Sequence, residues 1–135
     1  MFENTKNSKQ QGDVGLGAAI AYYTQQGYTV CIPLTDSQDY DLIVDDGKKL
    51  NKVQVKSTAS QTPYGVYSAG LRVCGGNQSW GGVVKKFNPK QVDLLFVLCD
   101  NGDSYSIPTS IVKCVNRINL GKKYQQYKTG GIPSV

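Results

Sequence analysis

The sequence predicts an α/β fold, a mixed central β-sheet flanked by α-helices. Three segments predict it. Residues 12–27, "GDVGLGAAIAYYTQQG", carry apolar residues at helical spacing. Residues 40–57, "YDLIVDDGKKLNKVQVKS", alternate in polarity on either side of an Asp-Gly turn, as a β-hairpin does. Residues 92–99, "VDLLFVLC", form a nearly continuous apolar run, as a central strand buried on both faces does.

In the first segment Val14, Ala18 and Tyr22 fall on one stripe, widened by Ile20 and Ala21, and Gly27 is a natural stop. Gly15 and Gly17 are poor helix formers, so their presence predicts a close neighbour. "YTVCIP" reads as a short strand ended by Pro33, and "LTDSQD" as a polar loop. In the hairpin, Val53, Val55 and Ser57 point one way, while Gln54 and Lys56 point the other. "VYSAGLRV" reads as a further strand, "CGGNQSWGG" as a glycine-rich loop and "FNPKQ" as a turn. "DNGD" turns the chain back into the strand "SYSIP". Thr109 is placed to cap a short helix, "SIVKCV", on the far face of the sheet, and the tail frays into a Gly/Pro end. No linker or repeat interrupts the 135 residues, so a single domain is expected over 1–135.

Composition narrows the chemistry. There is no histidine, which removes Ser-His and Cys-His nucleophilic machinery. Cys31, Cys74, Cys99 and Cys114 are scattered without a CxxC pair, so ordinary thiols are expected rather than a zinc site. The start of the chain is too polar for a secretory signal and no apolar stretch reaches membrane-spanning length. No membrane partner is therefore expected, and the expected location is cytoplasmic. The net charge is +5, unevenly spread. Asp13, Asp36, Asp39, Asp41, Asp45 and Asp46 sit in one early stretch, and lysines and arginines dominate later. That distribution suits a polyanion partner plus a small cation site, and equally a solvated basic surface.

Asp41, Gln54 and Lys56 are the candidate site. Gln54 and Lys56 share a strand face with Cβ atoms roughly 7 Å apart, from two residues at about 3.3 Å each. If Asp41 meets them, a carboxylate oxygen and an amide oxygen suit Mg²⁺, and the ammonium suits an attacking water or phosphorane charge. Alternating polar residues also describe the wet face of a sheet, and spacing alone leaves both readings open.

The ordered blocks "GDVG", "YYTQQGYTVCIP", "YDLIV" and "KVQVKS" resemble the PD-(D/E)XK nuclease superfamily, and within it the group I intron-associated homing endonucleases. The likeness continues through "LRVCGGN", "FNPKQVDLLFVLCDNGDSYSIPTSIV" and "INLGKKYQQY", covering about residues 9–128. The resemblance implies a restriction-endonuclease-like core with its catalytic groups on a β-hairpin. It implies Mg²⁺-dependent hydrolysis of DNA phosphodiesters leaving a 5′-phosphate, with Mn²⁺ able to substitute. Asp41 stands for the first acidic residue of the motif, and Gln54-Val55-Lys56 for the (D/E)XK tripeptide with glutamine replacing the acid. Metal ligands are then Asp41, Gln54 and the Val55 carbonyl, with Lys56 positioning the water.

Such nucleases often carry a first-helix glutamate, where this chain has Leu16. Asp13, one turn earlier, can take its place, or can complement the positive end of the helix. Asp13 and Ser57 are the auxiliary candidates. Duplex or branched DNA is the expected partner. The expected contacts are Lys6 and Lys9 before the first helix, and Arg72, Asn77, Gln78, Ser79, Lys85 and Lys86 around the glycine-rich loop. Trp80 suits either base stacking or anchoring that loop. A domain this small needs to assemble as a homodimer or homotetramer to read a long site. A Holliday-junction resolvase and a catalytically degenerate DNA-binding module are the alternatives, the latter kept open by Leu16 and Gln54.

Overall fold

The structure, a computed structural model, describes residues 1–74 and 84–130. Helix α1 (Ser8–Gln25) starts four residues earlier than the apolar pattern indicates. The polar run "SKQQ" is helical because Asn7 caps it, its side chain accepting from Gln10 N–H at 2.9 Å. Gln10 reaches back to accept from Lys6 N–H at 2.8 Å. Lys6 thus precedes the helix as expected, whereas Lys9 lies inside its first turn.

The helix buries Gly15, Ala18, Ala19 and Tyr23, one residue off the expected stripe, while Val14 and Tyr22 pack at its margin. Small residues let the helix lie close to the sheet. A Cβ built on Gly15 would stand 2.1 Å from Ser57 Oγ, so this position excludes any side chain unless Ser57 moves. Gly17 has no such neighbour. Gly27 ends the helix at φ +83°, a conformation that glycine adopts without strain.

The strands are β1 (Thr29–Cys31), β2 (Leu42–Asp45), β3 (Leu50–Thr58), β4 (Ser68–Gly70), β5 (Val73–Cys74), β6 (Val84–Lys85), β7 (Leu94–Cys99), β8 (Ser104–Pro108) and β9 (Arg117–Asn119). The main sheet has the order β1-β2-β3-β7-β8. It is mixed: β3 and β7 are parallel and every other pair is antiparallel. As its apolar run requires, β7 is central, and Leu95 to Cys99 are all buried. Its two sides feed two cores. Phe96 and Leu98 join Leu42, Val44 and Val53 under α1, and Leu95, Val97 and Cys99 join Ile107 on the opposite face. Each such fully buried aliphatic side chain contributes about 1.5–3 kcal/mol relative to leaving it exposed.

That opposite face is closed by an antiparallel ribbon of β4 and β9, which buries Ala69 and Ile118, and by 3-10 turns at Thr109–Ile111 and Lys122–Tyr127. The expected α-helix over 110–115 does not form. Thr109 is no cap: its hydroxyl meets the Pro89 carbonyl at 3.0 Å and also the Val92 carbonyl, tying two loops together. The following Ile111 and Val112 are β-branched, and Val112 is already extended. The tail is docked as far as Thr129, and the Gly/Pro end expected to fray lies, from residue 131, outside the described residues. Tyr124 is buried, Lys128 pairs with Asp103 at 3.0 Å, and Thr129 N–H donates to Ser104 O at 2.8 Å. Cys31, Cys99 and Cys114 are free thiols. Among the described residues no helix is long and apolar enough to cross a membrane.

Candidate active site on the hairpin

The β2–β3 hairpin holds its turn with carboxylates. Asp45 Oδ1 accepts from Gly47 N–H at 2.9 Å, and Asp46 Oδ1 accepts from Lys48 and Lys49 N–H at 2.8 Å each. Those backbone donors hold the Asp46 carboxyl below its usual range. Gly47 takes the left-handed conformation, φ +89°. The early acidic cluster therefore divides: Asp45 and Asp46 build the turn and do not line the candidate cation site.

The paired register runs Leu42 opposite Val53 through Asp45 opposite Leu50. Just before that ladder, Asp41 N–H donates to the Val53 carbonyl at 2.8 Å. The carboxylate turns back on β3, where its Oδ2 accepts from Gln54 Nε2 at 2.9 Å and from Val55 N–H at 2.8 Å. Asp41 and Gln54 thus meet directly. Burial pushes the Asp41 carboxyl above its usual range, opposed by the Val55 N–H and by the positive charge of Lys56. Lys56 Nζ donates to the Arg72 carbonyl at 3.2 Å, which fixes where the ammonium stands. Gln54 is only 6% exposed. Its amide nitrogen faces the carboxylate, and its Oε1 is buried without a hydrogen-bond partner among the described residues. An orphaned buried acceptor costs about 1–3 kcal/mol.

On the α1 side, Asp41 and Val55 line a pocket of about 210 Å³ with Lys9, Gly12, Asp13 and Leu16. Asp13 lies in the second turn of a helix that starts at Ser8, so it does not serve the helix end. It shares the pocket with Asp41 instead, and Leu16 supplies apolar wall where a glutamate stood to be expected. Ser57 Oγ is likewise buried without a hydrogen-bond partner among the described residues, wedged against Gly15. A larger cavity of about 720 Å³ opens at the start of β3 and β7, lined by Lys49, Asp93, Thr109 and neighbours. None of Asp41, Gln54 or Lys56 lines it, so size does not mark the chemistry here.

The donor set fits a hard divalent cation. Asp41 offers a carboxylate oxygen in a desolvated setting and Gln54 an unsatisfied neutral oxygen, the ligand types Mg²⁺ takes. Among the described residues, no group of three or more His, Cys, Asp or Glu side chains comes together. A site with so few carboxylates would hold a cation weakly.

Of the basic candidates, Lys6, Lys9, Arg72 and Lys86 are exposed, and Lys9 borders the pocket. Asn77, Gln78, Ser79 and Trp80 lie outside the described residues, as does the side chain of Lys85. Sequence reasoning missed two features: the Arg72 carbonyl that holds Lys56, and Asn116, whose Oδ1 accepts from Arg72 Nε at 3.4 Å. Both arise from contacts between segments far apart in the chain, which no local pattern signals.

A family model described as PD-(D/E)XK endonuclease matches residues 6–129. The chain belongs to the PD-(D/E)XK endonuclease family. Among solved structures, the bacterial homing endonuclease I-Ssp6803I is similar, with a TM-score of 0.73 and 26% sequence identity over 91% of this chain and 89% of that one. No curated protein matches the chain. The PD-(D/E)XK membership and the homing-endonuclease neighbour agree with the restriction-endonuclease-like core expected from the hairpin and its flanking blocks.

Proposed function

We propose that this chain is a Mg²⁺-dependent DNA endonuclease of homing or mobile-element type, hydrolysing phosphodiester bonds in duplex DNA. The observation that carries the reading is the junction of Asp41 with Gln54 and Val55 beside a buried, unsatisfied Gln54 oxygen. Asp41, Gln54 and the Val55 carbonyl would hold the cation, and Asp13 faces the same pocket as a second carboxylate. When bound, Mg²⁺ supplies Lewis acidity toward a phosphate oxygen and lowers the pKa of water.

The chain's own residues do the rest. The Val55 N–H and the Gln54 amide hold the Asp41 carboxylate in one orientation. Lys56, held by the Arg72 carbonyl, orients the attacking water through its ammonium and offsets charge developing on the phosphate. Ser57 sets the approach of α1, and so of Asp13, to the hairpin. Lys6, Lys9, Arg72 and Lys86 contact backbone phosphates, together with Lys85, Asn77, Gln78 and Ser79. Assembly as a homodimer or homotetramer would give a domain of this size a long recognition site.

Leu16 in the pocket favours a second reading, a DNA-binding module that has lost catalysis. Cleavage of supercoiled plasmid libraries and of a four-way junction, with Mg²⁺, Mn²⁺ or EDTA, separates these readings. Metal-dependent cutting of duplex supports the endonuclease, and symmetric nicking of the junction supports a resolvase. Salt-sensitive binding without cutting supports the module.

A further inference from the structure

We propose that the β4–β9 ribbon reads the DNA groove beside the cleavage site, with Asn116 and Arg117 contacting base edges. This rests on the DNA endonuclease reading above.

The ribbon has two unlike faces. Ala69 and Ile118, paired across it, are buried in the core on the far side of the main sheet. Gly70 and Arg117, the next pair along, are exposed. Arg117 does not trail into solvent: its Nε donates to Ser68 Oγ at 2.7 Å and its Nη2 to Ser68 O at 3.2 Å. A Cβ on Gly70 would lie 3.7 Å from Arg117 Nη1, so the guanidinium lies across the glycine. A guanidinium has five N–H donors, and these two bonds leave its Nη1–Nη2 edge for a planar pair of acceptors. Guanine O6 and N7 present such a pair in the major groove.

The ribbon also joins the candidate active site. The same strand segment continues to Arg72, whose carbonyl holds Lys56 and whose Nε meets Asn116 Oδ1. Asn116 is exposed, and its carbonyl accepts from Leu71 N–H at 2.9 Å, so its backbone is fixed. A bond from Arg72 to the amide oxygen turns the amide nitrogen outward as a donor. A run from Arg117 through Asn116 and Arg72 to Lys56 therefore carries fixed donors and positive charge.

Neither stretch that contributes to this run, 47–92 or 104–135, contains a single Asp or Glu. Segments this free of acids, with the Asp41 carboxylate near the Lys56 end alone, suit phosphate-flanked DNA. A two-stranded antiparallel ribbon of three-residue strands, roughly 10 Å long at about 3.3 Å per residue, is of a size the major groove admits.

The test is selection of a randomised duplex library in EDTA, where binding is read without cleavage. Wild type, Asn116→Ala, Arg117→Lys and Arg72→Ala are compared, with thermal unfolding as the folding control. The wild type should enrich a sequence motif. Asn116→Ala should lose about tenfold discrimination at one base pair while keeping its affinity for backbone. Arg117→Lys keeps the charge but not the fork, so it should also relax one position. Arg72→Ala should lower the salt slope by about one unit and, because it releases the Asn116 amide, relax the same base pair as Asn116→Ala. An unchanged motif in folded Asn116→Ala and Arg117→Lys overturns the ribbon as reader. A wild type that retains no duplex overturns the endonuclease reading, and this surface with it.

Discussion

One oxygen of Asp41 accepts both the Gln54 side-chain amide and the Val55 backbone N–H. The carboxylate is thus built into the hairpin, yet it stays in a setting that raises its pKa. A buried carboxylate of raised pKa costs folding stability once ionised, above its folded pKa, and that cost disappears as pH falls through this pKa. Asn at 41 keeps an acceptor oxygen for both donors and removes the charge. Asp41→Asn is therefore expected to raise the melting temperature of the metal-free protein at neutral pH, with the gain vanishing at acid pH. Thermal melts across that range check it. An Asp41→Asn protein less stable than wild type at neutral pH contradicts it.

Restoring the acid of the tripeptide should have a different signature. Gln54→Glu sets a second carboxylate within about 3 Å of Asp41, in a buried site where like charges cannot both ionise freely. Without a divalent cation the variant should lose about 1 kcal/mol or more at neutral pH. Mg²⁺ should stabilise it more than it does wild type, since only the folded state binds. Chemical denaturation with and without Mg²⁺ measures both effects.

The contact of Gly15 with Ser57 predicts a coupled pair. Gly15→Ala forces a Cβ against Ser57 Oγ and should destabilise by about 1–3 kcal/mol, despite the better helix propensity of alanine. Ser57→Ala removes a buried hydroxyl without a partner and should be near neutral. In the double variant the Cβ at position 57, at 3.4 Å, and Val55 Cγ1, at 3.5 Å, remain as ordinary contacts, so most of the loss should return. A double-mutant cycle by denaturant unfolding reads the coupling directly.

Leu16 tests the metal pocket from the helix side. Leu16→Glu adds a carboxylate to the cavity shared by Asp13 and Asp41. Titration calorimetry should show Mg²⁺ or Mn²⁺ binding about tenfold tighter, because affinity follows ligand charge. The metal-free variant should be less stable than wild type, as unpaired acids are brought together.

Much of this arrangement was legible in local pattern. Alternation around Asp46-Gly47 located the hairpin, and the apolar run marked β7 as an interior strand of the sheet, between β3 and β8. The start of α1 was hidden because Asn7 and Gln10 cap it through polar side chains, which hydrophobic periodicity does not register. The early acidic stretch as a whole suited a cation site, but composition does not separate its turn-building carboxylates, Asp45 and Asp46, from Asp41. The ribbon was illegible for a different reason. It pairs residues 68–70 with 117–119, and only tertiary packing brings those segments together.

The most direct test of the central claim is cleavage of supercoiled plasmid carrying a cognate site, by wild type and Asp41→Asn side by side in Mg²⁺. Wild type should cut and should stop in EDTA. Folded, DNA-binding Asp41→Asn should be slower by about a hundredfold or more. Equal cutting by both proteins, or cutting that persists in EDTA, would contradict a nuclease centred on Asp41 and a divalent cation.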